Sequence, residues 1–422
     1  MKNIDTICVQ AGFKPAQGEP RVTPIYQSTT FYYEKAQDMA DCFDLKSSSY
    51  FYTRLANPTV AVLEEKLTAL EGGSCAVCTS SGQSATMFTV LNVAHAGDNI
   101  LASSAVYGGS FNLLDVTLRK LGIETRFFSP DDSAEDIEKL IDDKTKLIFT
   151  ESLANPAIVV LDFDKIAKIA QKYQIVFAVD NTLVTAALCR PIEFGANVVV
   201  YSTTKYMDGH AVALGGAVID GGNFNFKGNP RYADFNEPDE SYHGLVFADL
   251  GATAFGIKCR AQLMRDMGSM MSPQNAFLTN LGSETLSLRM AKHSENAKKV
   301  AEFLSKQDKV EWVKHPSLKD NKYYGLAQKY FPNGMGGMMS FGLKGPKENA
   351  VKFMEALKMI AIVTHVADAR SCILHPASTT HRQLSDKALQ DCGIEPNLLR
   401  LSVGIENAED IIADIAEALS QI

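Results

Sequence analysis

The sequence lacks the features that mark several common classes of protein. Its 422 residues hold no basic cluster with interleaved aromatics, and the net charge is −8 with both signs mixed along the chain. That balance favours solubility and argues against a nucleic-acid surface. No uninterrupted apolar run is long enough to span a bilayer. Met1-Lys2-Asn3-Ile4-Asp5 has no apolar core of the kind a signal peptide needs. The cytoplasm is therefore the expected compartment, with no membrane and no nucleic-acid partner. Neither G-x-G-x-x-G nor G-x-x-x-x-G-K-[ST] occurs, which lowers the odds of NAD or ATP. Eight cysteines are too few for a disulfide scaffold in a chain this long, and they sit mostly in apolar contexts, as reduced core cysteines do. Cys75 and Cys78 form a C-x-x-C, but no second pair of cysteines or histidines completes a zinc site. Buried thiols are expected there, and no metal. No internal repeat or low-complexity tract is present.

What the chain does have is length for two domains and an ordinary apolar fraction of 46%. Residues 1–57 are poor in helical period and rich in turn formers and aromatics. They read as an extended arm that packs on something else, a second subunit being the natural candidate. Asn57-Pro58 then opens a helix, with Asn as N-cap and Pro at the first position, and Gly72-Gly73 stops it. From Cys75 to Asp220 strand-like and helix-like segments alternate, which predicts a mostly parallel sheet covered by helices on both faces. Residues 221–250 break the rhythm and predict a long ordered loop of the kind that is usually functional or lid-like. Beyond 285 the texture becomes α+β. The expected organisation is an arm over 1–57, an α/β domain over 58–285 with the 221–250 insertion, and a smaller α+β domain over 286–422.

The most informative stretch is Val198–Tyr206, Val-Val-Val-Tyr-Ser-Thr-Thr-Lys-Tyr. Its apolar half suits a fully buried strand. Its polar half emerges at the strand's C-terminal end, where open α/β sheets bind ligands. A lysine there is either a snorkelling side chain or an amine that loses its proton easily and forms a Schiff base. Three other strand ends bear on the choice. Ser80-Ser81-Gly82-Gln83 is a tight strand–helix turn or an anion site at a helix N-terminus. Tyr107-Gly108-Gly109-Ser110 is a turn with either a packed tyrosine or one that stacks on a planar ring. Asp180-Asn181-Thr182 ends an apolar strand in a carboxylate that needs a cationic or donor partner. An anion turn, a stacking aromatic, a carboxylate and a lysine together suit pyridoxal 5′-phosphate, with Lys205 as its covalent anchor and Asp180 on the ring nitrogen.

These motifs, Ser202-Thr203-Thr204-Lys205-Tyr206, Asp180-Asn181-Thr182 and Ser80-Ser81-Gly82-Gln83, closely resemble those of the cystathionine γ-synthase/methionine γ-lyase family of fold-type I pyridoxal-phosphate enzymes. The likeness runs through nearly the whole chain. It implies a transferase fold and assigns further roles. The turn Ser81-Gly82-Gln83 would hold the phosphate through N–H groups of Gly82 and Gln83, with hydroxyls from Ser202 and Thr204. Tyr52 and Arg54 would reach the phosphate from the neighbouring subunit of a homo-oligomer, a tetramer built as a dimer of dimers with shared active sites. Tyr107 would stack on the ring and take part in catalysis with Lys205 and Asp180. Asn155 would contact the ring's 3′-oxygen, and Arg400 would grip the substrate carboxylate.

Within the family, three features resemble the O-acetylhomoserine sulfhydrylase group: the Tyr-Gly-Gly-Ser stretch, where methionine γ-lyases typically place a cysteine at Gly109; the 221–250 loop; and His375–His381. γ-Replacement on an acylated homoserine by sulfide or a small thiol is the implied reaction, with methionine γ-lyase-type elimination and cystathionine γ-synthase activity as alternatives. One departure stands out. That group usually shows Asn-Val-Gly-Asp where this chain has His365-Val366-Ala367-Asp368, so His365 and Val366 are expected at the substrate's amino-acid end. A strand-end histidine bonded to backbone is the plainer reading of His365.

Overall fold

A computed structural model describes residues 3–379 and 395–422. Seven strands, β1 (Cys75–Thr79), β2 (Asn99–Ser103), β3 (Glu124–Phe128), β4 (Thr145–Glu151), β5 (Val176–Asp180), β6 (Val198–Tyr201) and β7 (Gly216–Asp220), form the central sheet in the order β1-β7-β6-β5-β4-β2-β3. β7 runs antiparallel to both β1 and β6, and the other pairings are parallel. The sheet is therefore mostly parallel, as expected, with one reversed strand that Gly216 begins. A Cβ at Gly216 would stand 2.2 Å from the Ser81 carbonyl oxygen, so only glycine lets β7 start beside the turn after β1.

The strands bury both faces. Val198, Val199 and Val200 are at most 1% exposed, each contributing roughly 1.5–3 kcal/mol by its removal from water. One face packs under the helices Pro58–Glu71 and Phe163–Tyr173, the other under Gly82–Leu91 and the helical run that begins at Ala254. The Pro58–Glu71 helix forms for the reasons read from its sequence. Asn57 Oδ1 accepts the Thr59 N–H at 3.0 Å, Pro58 occupies the first turn, and Gly72 closes the helix at φ +75°. All the parallel strands end on one edge of the sheet, so Thr79, Ser103, Glu151, Asp180 and Tyr201 deliver the residues that follow them to the same side.

A second sheet has β8 (Val310–Lys314), β9 (Met338–Leu343), β10 (Ala361–Ile362), β11 (Cys372–Leu374) and β12 (Leu398–Ser402) in the order β10-β11-β12-β9-β8. It packs on its own core, with Phe341, Phe353, Leu399, Leu401 and Ile415 buried together. The helix Leu286–Leu304 serves both cores: Leu286 and Met290 face the first, Val300 and Leu304 the second.

Several expectations are corrected. The first 57 residues are not wholly extended. Asn3 caps a helix over Ile4–Gln10, whose Ile7 and Cys8 are buried against this chain's own helices, and a second helix covers Ala36–Phe43. Both are too short to show a helical period. β10 covers only Ala361–Ile362, which frees the next residues to turn toward the central sheet, and β11 is too short to have been read from the sequence. The 221–250 insertion is ordered but is no simple lid. Phe226 and Phe235 stack with centroids 3.9 Å apart, and Tyr232 Oη accepts the Val176 N–H and donates to the Lys146 carbonyl. Its first half thus packs where β4 and β5 begin, at the edge opposite their ends.

Candidate active site

The strand ends and the second sheet enclose a cavity of about 230 Å³. Lys205 reaches it from the turn after β6. Its backbone N–H donates to the Ser202 carbonyl at 3.2 Å, and its own carbonyl accepts the Gly209 N–H at 2.8 Å. Arg289, itself buried, donates to the Tyr206 and Gly282 carbonyls and so fixes the far side of this turn. Burial, and then the Arg400 charge, press the Lys205 amine below its ordinary range. A neutral amine is a nucleophile and a base, so the turn supplies both.

Asp180 lies on the next strand. Thr182 donates its backbone N–H to Asp180 Oδ1 at 2.9 Å, and its hydroxyl oxygen accepts the Ser202 N–H at 2.8 Å, tying the end of β5 to the start of the lysine turn. Burial raises the Asp180 carboxyl to about 6, against the opposing donors on Thr182. Glu151, the last residue of β4, stands in register with Asp180 and lines the same cavity. Its Oε1 accepts the Tyr107 N–H at 2.7 Å. Burial, and then the Asp180 charge, hold Glu151 well above the carboxylate range. Glu151 is buried and Asp180 partly so, and two such carboxyls on neighbouring strands cannot both ionise cheaply; burial pushes both upward, Glu151 well above its usual range. Sequence reading missed Glu151, although an acid ending the apolar run Leu147-Ile148-Phe149 is the same signal that identified Asp180.

The turn after β1 meets the turn after β6. A Cβ on Gly82 would lie 2.6 Å from Ser202 Cβ, so this glycine is required by close approach of two chain segments. Ser81 Oγ caps the Gly82–Leu91 helix by accepting the Ser84 N–H at 3.2 Å; that hydroxyl has a structural task, which leaves the first-turn N–H groups of Gly82 and Gln83 as the candidates for holding an anion. Thr204 is pinned as well, its hydroxyl donating to the Gly215 carbonyl and accepting the Gly215 N–H. Tyr107, half exposed, and Asn155, buried with an unpartnered Oδ1, complete this wall.

The second sheet brings Arg400 and the segment before β11. Arg400 is 7% exposed, donates from Nη2 to the Thr364 carbonyl at 3.2 Å, and among the described residues has no partner for Nε and no carboxylate paired with it. A buried guanidinium with open donors suits an incoming carboxylate. Val366 lines the cavity. His365 is not bonded through its ring to backbone: its Nδ1 lies 3.4 Å from Lys205 Nζ. His375 has both ring nitrogens engaged, with Ser378 and the Pro396 carbonyl, and Thr380 and His381 lie outside the described residues.

Tyr52 and Arg54 are not brought to this cavity within the chain. They line a separate one of about 520 Å³ with Phe43, Tyr242 and Arg265, where Arg54 sits over the Tyr52 ring and donates to the Arg265 carbonyl. Cys75 and Cys78, three apart on β1, point to opposite faces and share no ligand.

The donor set fits pyridoxal phosphate: helix N–H groups with hydroxyls, the strand-end carboxylate of Asp180, the Asn155 amide oxygen, which has no partner among the described residues, and a lysine surround one space. Comparison with known proteins agrees. The model of a family described as Cys/Met metabolism PLP-dependent enzyme matches residues 5–420. The chain is 44% identical to an O-acetyl-L-homoserine sulfhydrylase of Corynebacterium glutamicum, across 99% of this chain and 97% of that protein. It is 42% identical to another O-acetyl-L-homoserine sulfhydrylase, from Leptospira meyeri, with the same coverage. A crystal structure described as an O-acetylhomoserine (thiol)-lyase of Campylobacter jejuni superposes with a TM-score of 0.96 at 40% identity, covering 99% of this chain and 100% of that one. That structure carries a pyridoxyl-lysine phosphate at its position 205.

Proposed function

The chain belongs to the Cys/Met metabolism PLP-dependent enzymes, and from that premise we propose that it catalyses γ-replacement on O-acetyl-L-homoserine, with sulfide or methanethiol as the incoming sulfur, to give homocysteine or methionine and acetate. The observation that carries the reading is the convergence of Lys205, Asp180 and Arg400 on one cavity, in a chain whose full-length relatives bear the sulfhydrylase name.

Bound pyridoxal phosphate supplies an electron sink for charge developed at Cα. The protein's part is orientation and proton traffic. Arg400 takes the substrate carboxylate. The substrate amine would take the place of Lys205, whose freed Nζ takes the Cα proton, gives it up within the site, and then takes a second from Cβ as acetate leaves Cγ. Sulfide or thiol, as its anion, adds at Cγ, and Lys205 returns two protons, one to Cβ and one to Cα. Asp180 would supply the negative charge that pairs with a protonated ring nitrogen. Gly109 also supports replacement over a lyase arrangement: a Cβ there would stand 2.5 Å from Tyr107 Cε1 and 2.6 Å from Gln83 Nε2, so both side chains occupy the space that a cysteine would need. The extended part of residues 1–57, with Tyr52 and Arg54, is best accounted for as reaching a neighbouring subunit's phosphate in a cytoplasmic homotetramer.

Initial rates with O-acetyl- and O-succinyl-homoserine, each crossed with sulfide, methanethiol and cysteine, test the reaction. The acetyl ester with sulfide or methanethiol should be fastest. Faster release of 2-oxobutyrate from methionine with no thiol present would replace this reading with elimination, and a preference for cysteine would replace it with cystathionine synthesis. Arg400→Ala should raise KM for the amino acid about 100-fold, more than it lowers kcat; an unchanged KM would remove the carboxylate role.

A further inference from the structure

His365 is one of two residues, with Ala367, at which His365-Val366-Ala367-Asp368 departs from the Asn-Val-Gly-Asp pattern, and its surroundings are built. The Thr364 carbonyl accepts from Arg400, the His365 carbonyl accepts from Cys372 Sγ at 3.2 Å, and the Ala367 N–H donates to Ser402 Oγ at 2.8 Å. Three ties to β11 and β12 hold the imidazole against the lysine turn of the central sheet. Nδ1 faces Lys205 Nζ at 3.4 Å, and Nε2 faces Asp368 Oδ2 at 3.8 Å. Asp368 is buried and also faces Arg370. The other charged or titratable groups facing the pair are Arg400, Cys372 and Asp208.

The geometry points to His365 as a positioning residue for Lys205: Nδ1, 3.4 Å from Nζ, receives a hydrogen bond from the Lys205 amine when that amine is free, while Nε2 makes no hydrogen bond among the described residues, and protonation of the imidazole removes this support. The inference rests on Lys205 being the reacting amine. Its physical need is plain. An amine on a four-carbon stem, released when the substrate displaces it, has many rotamers, yet it must return to Cα and then to Cβ. A fixed acceptor limits those rotamers without taking the lone pair, because the amine donates a hydrogen to it. Burial, then the neighbouring Lys205, lower the imidazole's affinity for a proton, which keeps Nδ1 bare at neutral pH. When acid protonates Nδ1, the acceptor becomes a donor that would occupy the amine's lone pair instead of leaving it free.

Solid-state 15N NMR of the 15N-histidine-labelled full chain, with His365 assigned from its absence in His365→Asn, reads the tautomer directly. A bare Nδ1 at neutral pH, whose shift moves in Lys205→Ala, is expected. A protonated Nδ1, or a shift that ignores Lys205→Ala, overturns the inference. In the loaded enzyme His365→Phe should lower kcat about 10-fold. His365→Asn places Oδ1 near the Nδ1 position and should stay within about 3-fold of the parent, while its acid limb loses the contribution of the imidazole. Equal kcat and equal acid limbs in the Asn variant, the Phe variant and the parent overturn it too. If the Phe variant does not fold, the tautomer and the Asn variant's acid limb decide. A wrong assignment of Lys205 itself would show differently, as a borohydride-reducible adduct that survives Lys205→Ala.

Discussion

Lys205→Ala should bind pyridoxal phosphate only non-covalently and lose more than about 10⁴-fold in kcat. Lys205 is the one lysine among the described residues that lines the cavity, so no neighbour takes over either of its tasks. As anchor it presents the cofactor in a form the substrate amine can displace. As base it moves the protons at Cα and Cβ. Both need an amine that is neutral in part at working pH. Burial and the Arg400 charge, which lower its proton affinity, work toward that condition. Borohydride reduction followed by peptide mass mapping checks the anchor, and single-turnover kinetics check the base. An adduct retained elsewhere, or turnover reduced by less than 10-fold, would move the chemistry to another group.

The second large effect belongs to a pair of carboxyls that respond oppositely to the same change. Asp180→Asn should lower kcat about 10³-fold or more, while Glu151→Gln should change it by less than about 10-fold. The two stand in register on adjacent strands and share a wall of the cavity. Burial raises Glu151 well above the carboxylate range, so an amide there should remove little charge. In the proposed reaction Asp180 would be the anion that keeps a ring nitrogen cationic, and an amide cannot do so. The pH dependence follows with a definite sign. Because burial raises the Asp180 carboxyl to about 6, it gains a proton as pH falls through that value, and cofactor retention should fall with it; the charge is fully present well above 6. Cofactor release by equilibrium dialysis across pH 5–8 measures this in the parent and in Asp180→Asn, which should show no such acid loss. Should Glu151→Gln prove the more damaging change, the charge assignment within the pair is reversed.

Local rules account for a great deal of this molecule. Asn57-Pro58 and Gly72 bounded their helix, since capping depends on adjacent residues alone. Val198–Tyr201 announced a strand buried on both faces, and Asp180 and Lys205 at strand ends announced a site, because parallel strands covered by helices must expose ligand-binding groups where they finish. Lys205, Asp180, Gly82, Asn155 and Arg400 do line one cavity. Three points did not follow from neighbours in sequence. The insertion at 221–250 packs by its first half on the sheet edge opposite the site, through Tyr232. Tyr52 and Arg54 sit at a different cavity from Lys205. Glu151 faces Asp180 only because β4 and β5 pair in that register.

The sequence by itself thus determined which elements form, where the parallel strands stop and which chemical groups they carry, since caps, periodicity and strand burial are set within a few residues. Only the tertiary structure decided that Glu151 stands in register beside Asp180, and that a histidine 160 positions away from Lys205 lies beside it. Proton affinity and donor–acceptor pairing depend on what is packed within a few ångströms, and the closing of one sheet over another chooses those neighbours.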